Sequence, residues 1–292
     1  MSLTKLLIIS LTFINVIVWP NQPISANTTR ELTTEKNKSN SSLQLPCELS
    51  EELSDTSATL PDTFQERENS VEELAHQVTV RVFTNPGAGS GVIIKRKGQT
   101  YTVLTNDHVA NGSRDNLYRI LTADGKLYSA YRKPLPDLEG VDLALVEFKS
   151  AIPYCVAVLR NYEPIVGEVV YATGFPNYRH NSTAIENTFE WGLKAFELTT
   201  GTVSMLMSEP SLPQGYKLGY TNDIELGMSG GPVLDYRGQV IGINGRPKYP
   251  FQGSEVFRLT DGTTPSPQLF KQMEALSWAI PIASFQQIIS SQ

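Results

Sequence analysis

From about residue 71 onward, short runs of alternating apolar and polar residues follow one another, each closed by glycine, asparagine, aspartate or proline. Residues 78–83 alternate valines with polar positions, and 91–94 and 100–105 flank Lys97-Gly98 as a hairpin would. Residues 118–122 and 126–131 flank Asp124-Gly125 in the same way. Further strand-like runs cover 143–148, 156–159, 168–173, 197–205, 217–220, 232–234 and 239–243. Helical spacing is confined mainly to 268–276 and 282–289, near the end of the 292-residue chain. So many period-two segments must each hide one face, which calls for an all-β sandwich or barrel and not a parallel α/β sheet. Over about 220 residues, two barrels fit better than one. No fixed repeat runs through the chain, which disfavours a solenoid or propeller.

The N-terminal quarter reads differently. Lys5 precedes an uncharged, mostly apolar run from Leu6 to Trp19, and Ile24-Ser25-Ala26 offers small residues for cleavage. That layout predicts a signal peptide over 1–26 and a secreted or periplasmic mature chain; the rival reading is a membrane anchor, for which the run is short. No stable membrane insertion is expected elsewhere. Residues 27–70 are rich in Thr, Ser, Asn and Glu and read as a polar mobile segment or pro-segment. The remainder, 71–292, divides into a first barrel over about 75–160 and a second over about 161–280. Cys47 and Cys155 could bridge these parts or remain separate thiols, and the sequence leaves both open. The balance of 24 Lys and Arg against 30 Asp and Glu gives a net charge of −6. With no basic cluster, nucleic acid is excluded as a partner. His76 and His180 lie in polar stretches and read as exposed.

Three segments carry reactive side chains. In Thr105-Asn106-Asp107-His108, an apolar strand ends in a histidine. In Val141-Asp142-Leu143-Ala144, an aspartate leads into a strand apolar on both faces, where a carboxylate needs a partner. In Gly227-Met228-Ser229-Gly230-Gly231-Pro232, glycines let the backbone turn tightly and leave a serine hydroxyl uncovered. Each has an ordinary reading alone: a packing histidine, a turn-capping aspartate, a Gly/Pro turn. Together they supply a nucleophile, a base for its proton and a carboxylate to orient that base. The order His, Asp, Ser is that of chymotrypsin-like enzymes, not of subtilisins or α/β-hydrolases.

These segments resemble the His, Asp and Ser motifs of trypsin-like serine peptidases. The wording is nearest to the bacterial HtrA-type branch, through Thr199-Thr200-Gly201-Thr202-Val203-Ser204, Gly238-Gln239-Val240-Ile241-Gly242-Ile243-Asn244 and Trp278-Ala279-Ile280-Pro281. The likeness runs from about Val78 to the C-terminus. It implies two antiparallel six-stranded β-barrels with a short C-terminal helix, a Ser229, His108 and Asp142 triad, and an oxyanion hole from the Gly227 and Ser229 N–H groups. It implies a protein or peptide substrate, no cofactor and no metal. Asp223, Asn244 and Gly245 fall at substrate-binding positions. Asp223 matches the pocket-floor aspartate of trypsin and would favour Arg or Lys before the cut. HtrA-type loops follow another register, however, and Arg246 could oppose that preference. Met228 stands where trypsin has the aspartate that pairs with its new N-terminus, so that activation switch is absent. The chain stops soon after Pro281, so no PDZ domain is expected. The rivals to an endopeptidase are an inactive peptide-binding module and an esterase.

Overall fold

Strands from the turn-rich region pair with their neighbours until two ladders close on themselves. The computed structural model describes residues 64–292 except 112, 114–116, 135–139, 181–183, 251–252 and 291–292. The expected signal peptide, Cys47 and the segment up to residue 63 lie outside the described residues. The first barrel contains β1 (Thr79–Phe83), β2 (Ala88–Lys97), β3 (Thr100–Thr105), β4 (Tyr118–Leu121), β5 (Leu127–Lys133) and β6 (Ala144–Lys149), in the spatial order β1-β2-β3-β6-β5-β4. The second is built from β7 (Val169–Gly174), β10 (Glu197–Leu206), β11 (Leu218–Tyr220), β12 (Pro232–Leu234), β13 (Val240–Arg246) and β14 (Ser277–Pro281), ordered β10-β11-β14-β13-β12-β7. Every pairing in both is antiparallel. Between β7 and β10 in sequence, β8 (Tyr178–His180) and β9 (Ile185–Asn187) form a separate hairpin that the sequence pattern did not suggest.

Period-two alternation sorts the side chains. Val80 and Val82 face the interior of the first barrel with Ile93, Tyr101, Val103, Ile120, Val146 and Phe148. Val170, Ala172, Val203, Leu218, Val233 and Ile241 fill the second. A third cluster joins the barrels, setting Val92, Leu104 and Leu145 of the first among Tyr171, Leu234, Ile243 and Trp278 of the second. Burying each such aliphatic side chain stabilises the fold by about 1.5–3 kcal/mol. Residues 156–159 do not join a ladder; Leu159 makes one parallel bridge to Val240 instead.

The described residues also form four α-helices: α1 (Phe64–Val78), the one-turn α2 (Asp107–Ala110), α3 (Pro267–Glu274) and α4 (Ile282–Ser290). The last two agree with the helical spacing near the end, whereas α1 begins inside the stretch expected to be mobile. Its Val71, Leu74, Ala75 and Val78 fall at i, i+3, i+4 and i+7, one face of a helix. That face packs into the cluster shared with the second barrel. His76 is not a free surface residue: its ring meets Phe196 edge-on at 4.9 Å between centroids. Cys155 is buried, and its Sγ–H donates to Gln77 of α1 at 3.0 Å. The His180 side chain lies outside the described residues. Among the described residues, no helix is long and apolar enough to cross a membrane.

Candidate active site

Strand register brings His108 and Asp142 together. In the β3–β6 ladder Thr105 pairs with Ala144, so the residues just past β3 lie beside those just before β6. The helix α2 begins there and lifts His108 toward solvent, with 47% of its side chain exposed, while Asp142 is 4% exposed. His108 Nδ1 lies 2.7 Å from Asp142 Oδ2, and the His108 backbone N–H donates to Asp142 Oδ1 at 2.8 Å. Asn106 Nδ2 donates to the Asp142 carbonyl at 2.8 Å and fixes the backbone of that segment. The Tyr216 hydroxyl adds a second side-chain donor on Asp142 Oδ2. Burial would raise the Asp142 carboxyl, but His108 and the Tyr216 hydroxyl together hold it below the ordinary carboxylate range. Tyr216, itself buried and beside that carboxylate, is pushed well above the usual tyrosine value and keeps its proton as a donor. An anion binding Nδ1 leaves Nε2 as the ring atom able to accept a proton.

Ser229 comes from the loop between β11 and β12 in the other barrel. Its carbonyl accepts from Ser90 N at 2.8 Å, which ties it to the start of β2. A Cβ on Gly230 (φ +88) would stand 2.1 Å from Ser90 O and 2.3 Å from Thr105 Oγ1. The serine loop thus presses on the end of β3, the strand that leads to His108, and only glycine permits this approach. Among the described residues no hydrogen bond joins Ser229 to His108; the hydroxyl donates to Gly245 O at 3.3 Å. Nucleophile–base bonds are commonly long or unformed until substrate binds.

Around the serine, backbone donors divide into used and unused. Met228 N donates to Glu225 O at 2.9 Å and Gly230 N to Asn244 O at 2.9 Å. Among the described residues the Gly227 and Ser229 N–H groups have no acceptor. Leu226 O accepts from Asn177 N at 2.7 Å, and Gly227 O accepts from Ser90 Oγ at 2.8 Å. In a trans peptide N–H and C=O point in opposite directions, so the first bond aims the Gly227 N–H away from Asn177. Two unclaimed N–H groups beside a serine suit an oxygen that becomes negative.

The expected substrate-binding residues fare differently from one another. Asp223 is 84% exposed and paired with Lys248 Nζ at 2.8 Å. Asn244 is buried and committed within the fold: Nδ2 donates to Thr173 O at 2.9 Å, Oδ1 accepts from Tyr220 Oη at 2.6 Å, and its backbone bonds to Gly230 and Gly231. Each polar group of Asn244 thus has a partner inside the fold. Gly245 lies beside the serine hydroxyl, and a Cβ there would come within 2.0 Å of Tyr216 Oη. Arg246 turns from Asp223, donating to Val256 O, Pro213 O and Gln214 Oε1, with its guanidinium 4.3 Å from the Tyr216 ring centre. Tyr216, Ser90 and Asn177 were not found from the sequence. Gly89-Ser90-Gly91 did carry a signal, glycines flanking a hydroxyl, but it reads equally as the start of a strand.

Residues 89–243 match the family described as trypsin-like peptidase domain, a span reaching from β2 to β13 and including His108, Asp142 and Ser229. That is more than half of the chain. The chain belongs to the trypsin-like peptidase family. Among similar relatives of this trypsin-like chain, serine protease HTRA1 of Xenopus laevis is 29% identical over 160 residues, covering 54% of this chain and 31% of the relative. Serine protease Do-like HtrB of Bacillus subtilis is 30% identical over 159 residues, covering 53% and 32%. Serine protease Do-like HtrA of Lactobacillus helveticus is 26% identical over 196 residues, covering 66% and 40%. The chain thus spans roughly a third of the length of these curated relatives. A serine endoprotease from Yersinia pestis shares the fold, with a TM-score of 0.54 at 22% identity, over 80% of this chain and 67% of that one.

Proposed function

We propose that the chain is a serine endopeptidase in which Ser229 is the nucleophile, His108 the general base and Asp142 the residue that orients it. The observation that carries this reading is the pair of unclaimed N–H groups, Gly227 and Ser229, beside a serine whose loop abuts Thr105, three residues before the His108 that pairs with Asp142. Ser229 Oγ attacks the scissile carbonyl carbon as its proton passes to His108 Nε2. The carbonyl oxygen, now an anion, takes the two N–H donors. The C–N bond breaks, the protonated imidazole gives its proton to the leaving amine, and the acyl group stays on Ser229. A water then attacks the acyl carbon, losing a proton to His108; the bond to Ser229 Oγ breaks, His108 returns the proton to that oxygen, and the peptide acid leaves. The names of the similar relatives, all serine proteases, support the same class.

A basic preference would rest on Asp223, whose charge Lys248 already compensates, so the proposal includes no requirement for Arg or Lys before the cut. Export is part of the proposal and rests on Lys5, the apolar run after it and Ile24-Ser25-Ala26. The second reading, a peptide-binding module, draws on the Ser229 hydroxyl bonding to Gly245 O and not to His108.

Cleavage of a mixed peptide library by the secreted chain, beside Ser229→Ala, tests these together. The intact protein is expected to cut, with Ser229→Ala slower by about 10⁴-fold or more. Its mass is expected to lack the first 26 residues. Equal cutting by both proteins would remove Ser229 from the mechanism, and peptide binding without turnover by either would favour the binding module. Cuts confined to Arg and Lys would restore Asp223 as a specificity residue.

A further inference from the structure

In trypsin the residue before the nucleophile is an aspartate, whose pairing with the new N-terminus fixes the oxyanion loop. Here Met228 occupies that place, fully buried, with its Sδ accepting from Glu225 N at 3.3 Å. Another device must hold the Leu226–Gly227 peptide with its N–H toward the cleft.

Resting on the function proposed above, we propose that Arg81 is the positioning residue for the oxyanion hole: it anchors Asn177, and Asn177 sets the orientation of the Leu226–Gly227 peptide. Arg81 lies on β1 between Val80 and Val82, which face the first barrel core, so its own side chain leaves on the opposite face. Neighbouring Thr79 shows where that face looks, since its Oγ1 is 2.9 Å from Thr173 Oγ1 of β7. The Arg81 guanidinium is wholly buried, and among the described residues it has no carboxylate partner. Nη1 donates to Thr188 O at 2.8 Å, and Nη2 reaches Thr188 Oγ1 at 2.9 Å, Asn177 Oδ1 at 3.2 Å and Pro176 O at 3.4 Å. Phe83, Phe175 and Phe189 rings surround it, with centroids 5.2, 6.0 and 5.4 Å away. Burial lowers the guanidinium to about 10, which leaves it protonated at neutral pH.

A buried cation without an anion is costly, and nearly every bond it makes goes to the short segment from Pro176 to Thr188. Asn177 is consequently held on all sides: Oδ1 by Arg81, Nδ2 to Ala88 O at 2.8 Å, and its carbonyl by Thr188 N at 3.0 Å. Its remaining group, the backbone N–H, takes Leu226 O at 2.7 Å. Gly227 (φ +106) packs directly on it, for a Cβ there would come 2.6 Å from Asn177 N and 2.7 Å from its Cγ. Were Asn177 released, the peptide could rotate and present the Leu226 carbonyl to the site of the oxyanion, where it would repel.

The test compares Arg81→Met and Arg81→Lys with the unaltered chain. Readouts are kcat, KM, and affinity for a peptide aldehyde, whose adduct needs the hole, beside the corresponding peptide alcohol, which does not. Arg81→Met is expected to lower kcat by about 10²–10³-fold, the effect of losing one oxyanion donor. KM and alcohol affinity should stay within about threefold while aldehyde affinity falls in step with kcat. Arg81→Lys should recover part of the loss. Should Arg81→Met not fold, Thr188→Val, which removes one Arg81 acceptor, carries the same comparison with a smaller expected loss. Equal losses toward aldehyde and alcohol, or unchanged kcat, would overturn the proposal. So would a crystal structure of Arg81→Met with Leu226 O still on Asn177 N, whatever its activity. An unaltered chain that neither cuts nor forms an aldehyde adduct would instead overturn the peptidase reading, and the crystal structure would still decide the role of Arg81.

Discussion

Asp142 takes three donors on two oxygens: the His108 ring and the Tyr216 hydroxyl on Oδ2, the His108 backbone on Oδ1. Tyr216 thereby shares the orienting of the proposed base. Tyr216→Phe is expected to lower kcat/KM roughly tenfold, equivalent to ~1.4 kcal/mol, when measured on any cleaved peptide. It also has a pH signature. The folded Asp142 carboxyl lies below its unfolded value, so the stabilisation it brings is present above about pH 4 and is lost as pH falls through the folded value. Losing a donor moves the folded value up and shrinks that stabilisation. The melting-temperature gap between the unaltered chain and Tyr216→Phe should be widest near neutrality and close in acid. A gap that stays constant with pH would mean the hydroxyl acts through packing alone. Gly245 belongs to the same arrangement, because a side chain there would strike Tyr216.

Among the elements, α1 makes the least expected contribution. It precedes the first barrel in sequence, yet its apolar face packs with residues of the second. Leu74 closes over the turn before β13, where a Cβ on Gly238 (φ +74) would meet Leu74 Cδ2 at 2.3 Å. Glu68 accepts from Thr200 Oγ1 of β10 at 2.9 Å. The helix therefore clips the two barrels together from outside. Ala75, wholly buried on that face, is the point at which to test this. Ala75→Asp would bury a carboxylate without a partner and is expected to cost about 3 kcal/mol, read from the urea midpoint. Turnover measured well below the melt should be unchanged, since α1 touches none of the proposed catalytic groups. A normal midpoint would show that the helix contributes little to stability.

At the scale of the molecule, the barrels share a core, and a buried ion network fastens the connection between them to the second barrel. Arg160, 2% exposed on the connection between them, pairs with Glu168 and with Asp235 Oδ2 at 3.2 Å. Its backbone N–H donates to Val240 O at 3.0 Å, so the connection is fastened to β13 as well. Burial alone would lower the guanidinium, yet Glu168 and Asp235 raise it above its usual value. Arg160→Ala leaves the fully buried Asp235 without that partner and is expected to cost about 3–5 kcal/mol in urea unfolding. Because the third cluster spans both barrels, the loss should move one cooperative transition, with near- and far-ultraviolet circular dichroism coinciding. Two separated transitions would show that the barrels unfold independently.

Local signals in the chain were enough to specify the architecture and to single out the side chains proposed to react. Period-two alternation and Asp-Gly or Lys-Gly turns act within a few residues, so strands such as 100–105 and 118–121 are legible in their own short segments. His108, Asp142 and Ser229 stand out for a similar reason, as reactive side chains set against apolar strands and glycines. What holds them is not local. Arg81 meets Asn177 across 96 positions, Ser90 Oγ meets Gly227 O across 137, and Tyr216 meets Asp142 across 74. The partner in none of these pairs can be read from the residue's own neighbourhood, even where, as at Ser90, flanking glycines mark the spot. Arg81 is a polar position in an alternating strand, and α1 hides its apolar face among charges. Asp223 shows the converse, since its position suggested a pocket floor and only folding brought Lys248 to it. Short stretches of sequence thus carry the two β-barrels and the side chains proposed to react between them. The tertiary structure alone decided which distant donors hold that chemistry in place, because hydrogen bonds between barrels depend on closure and register that no single segment contains.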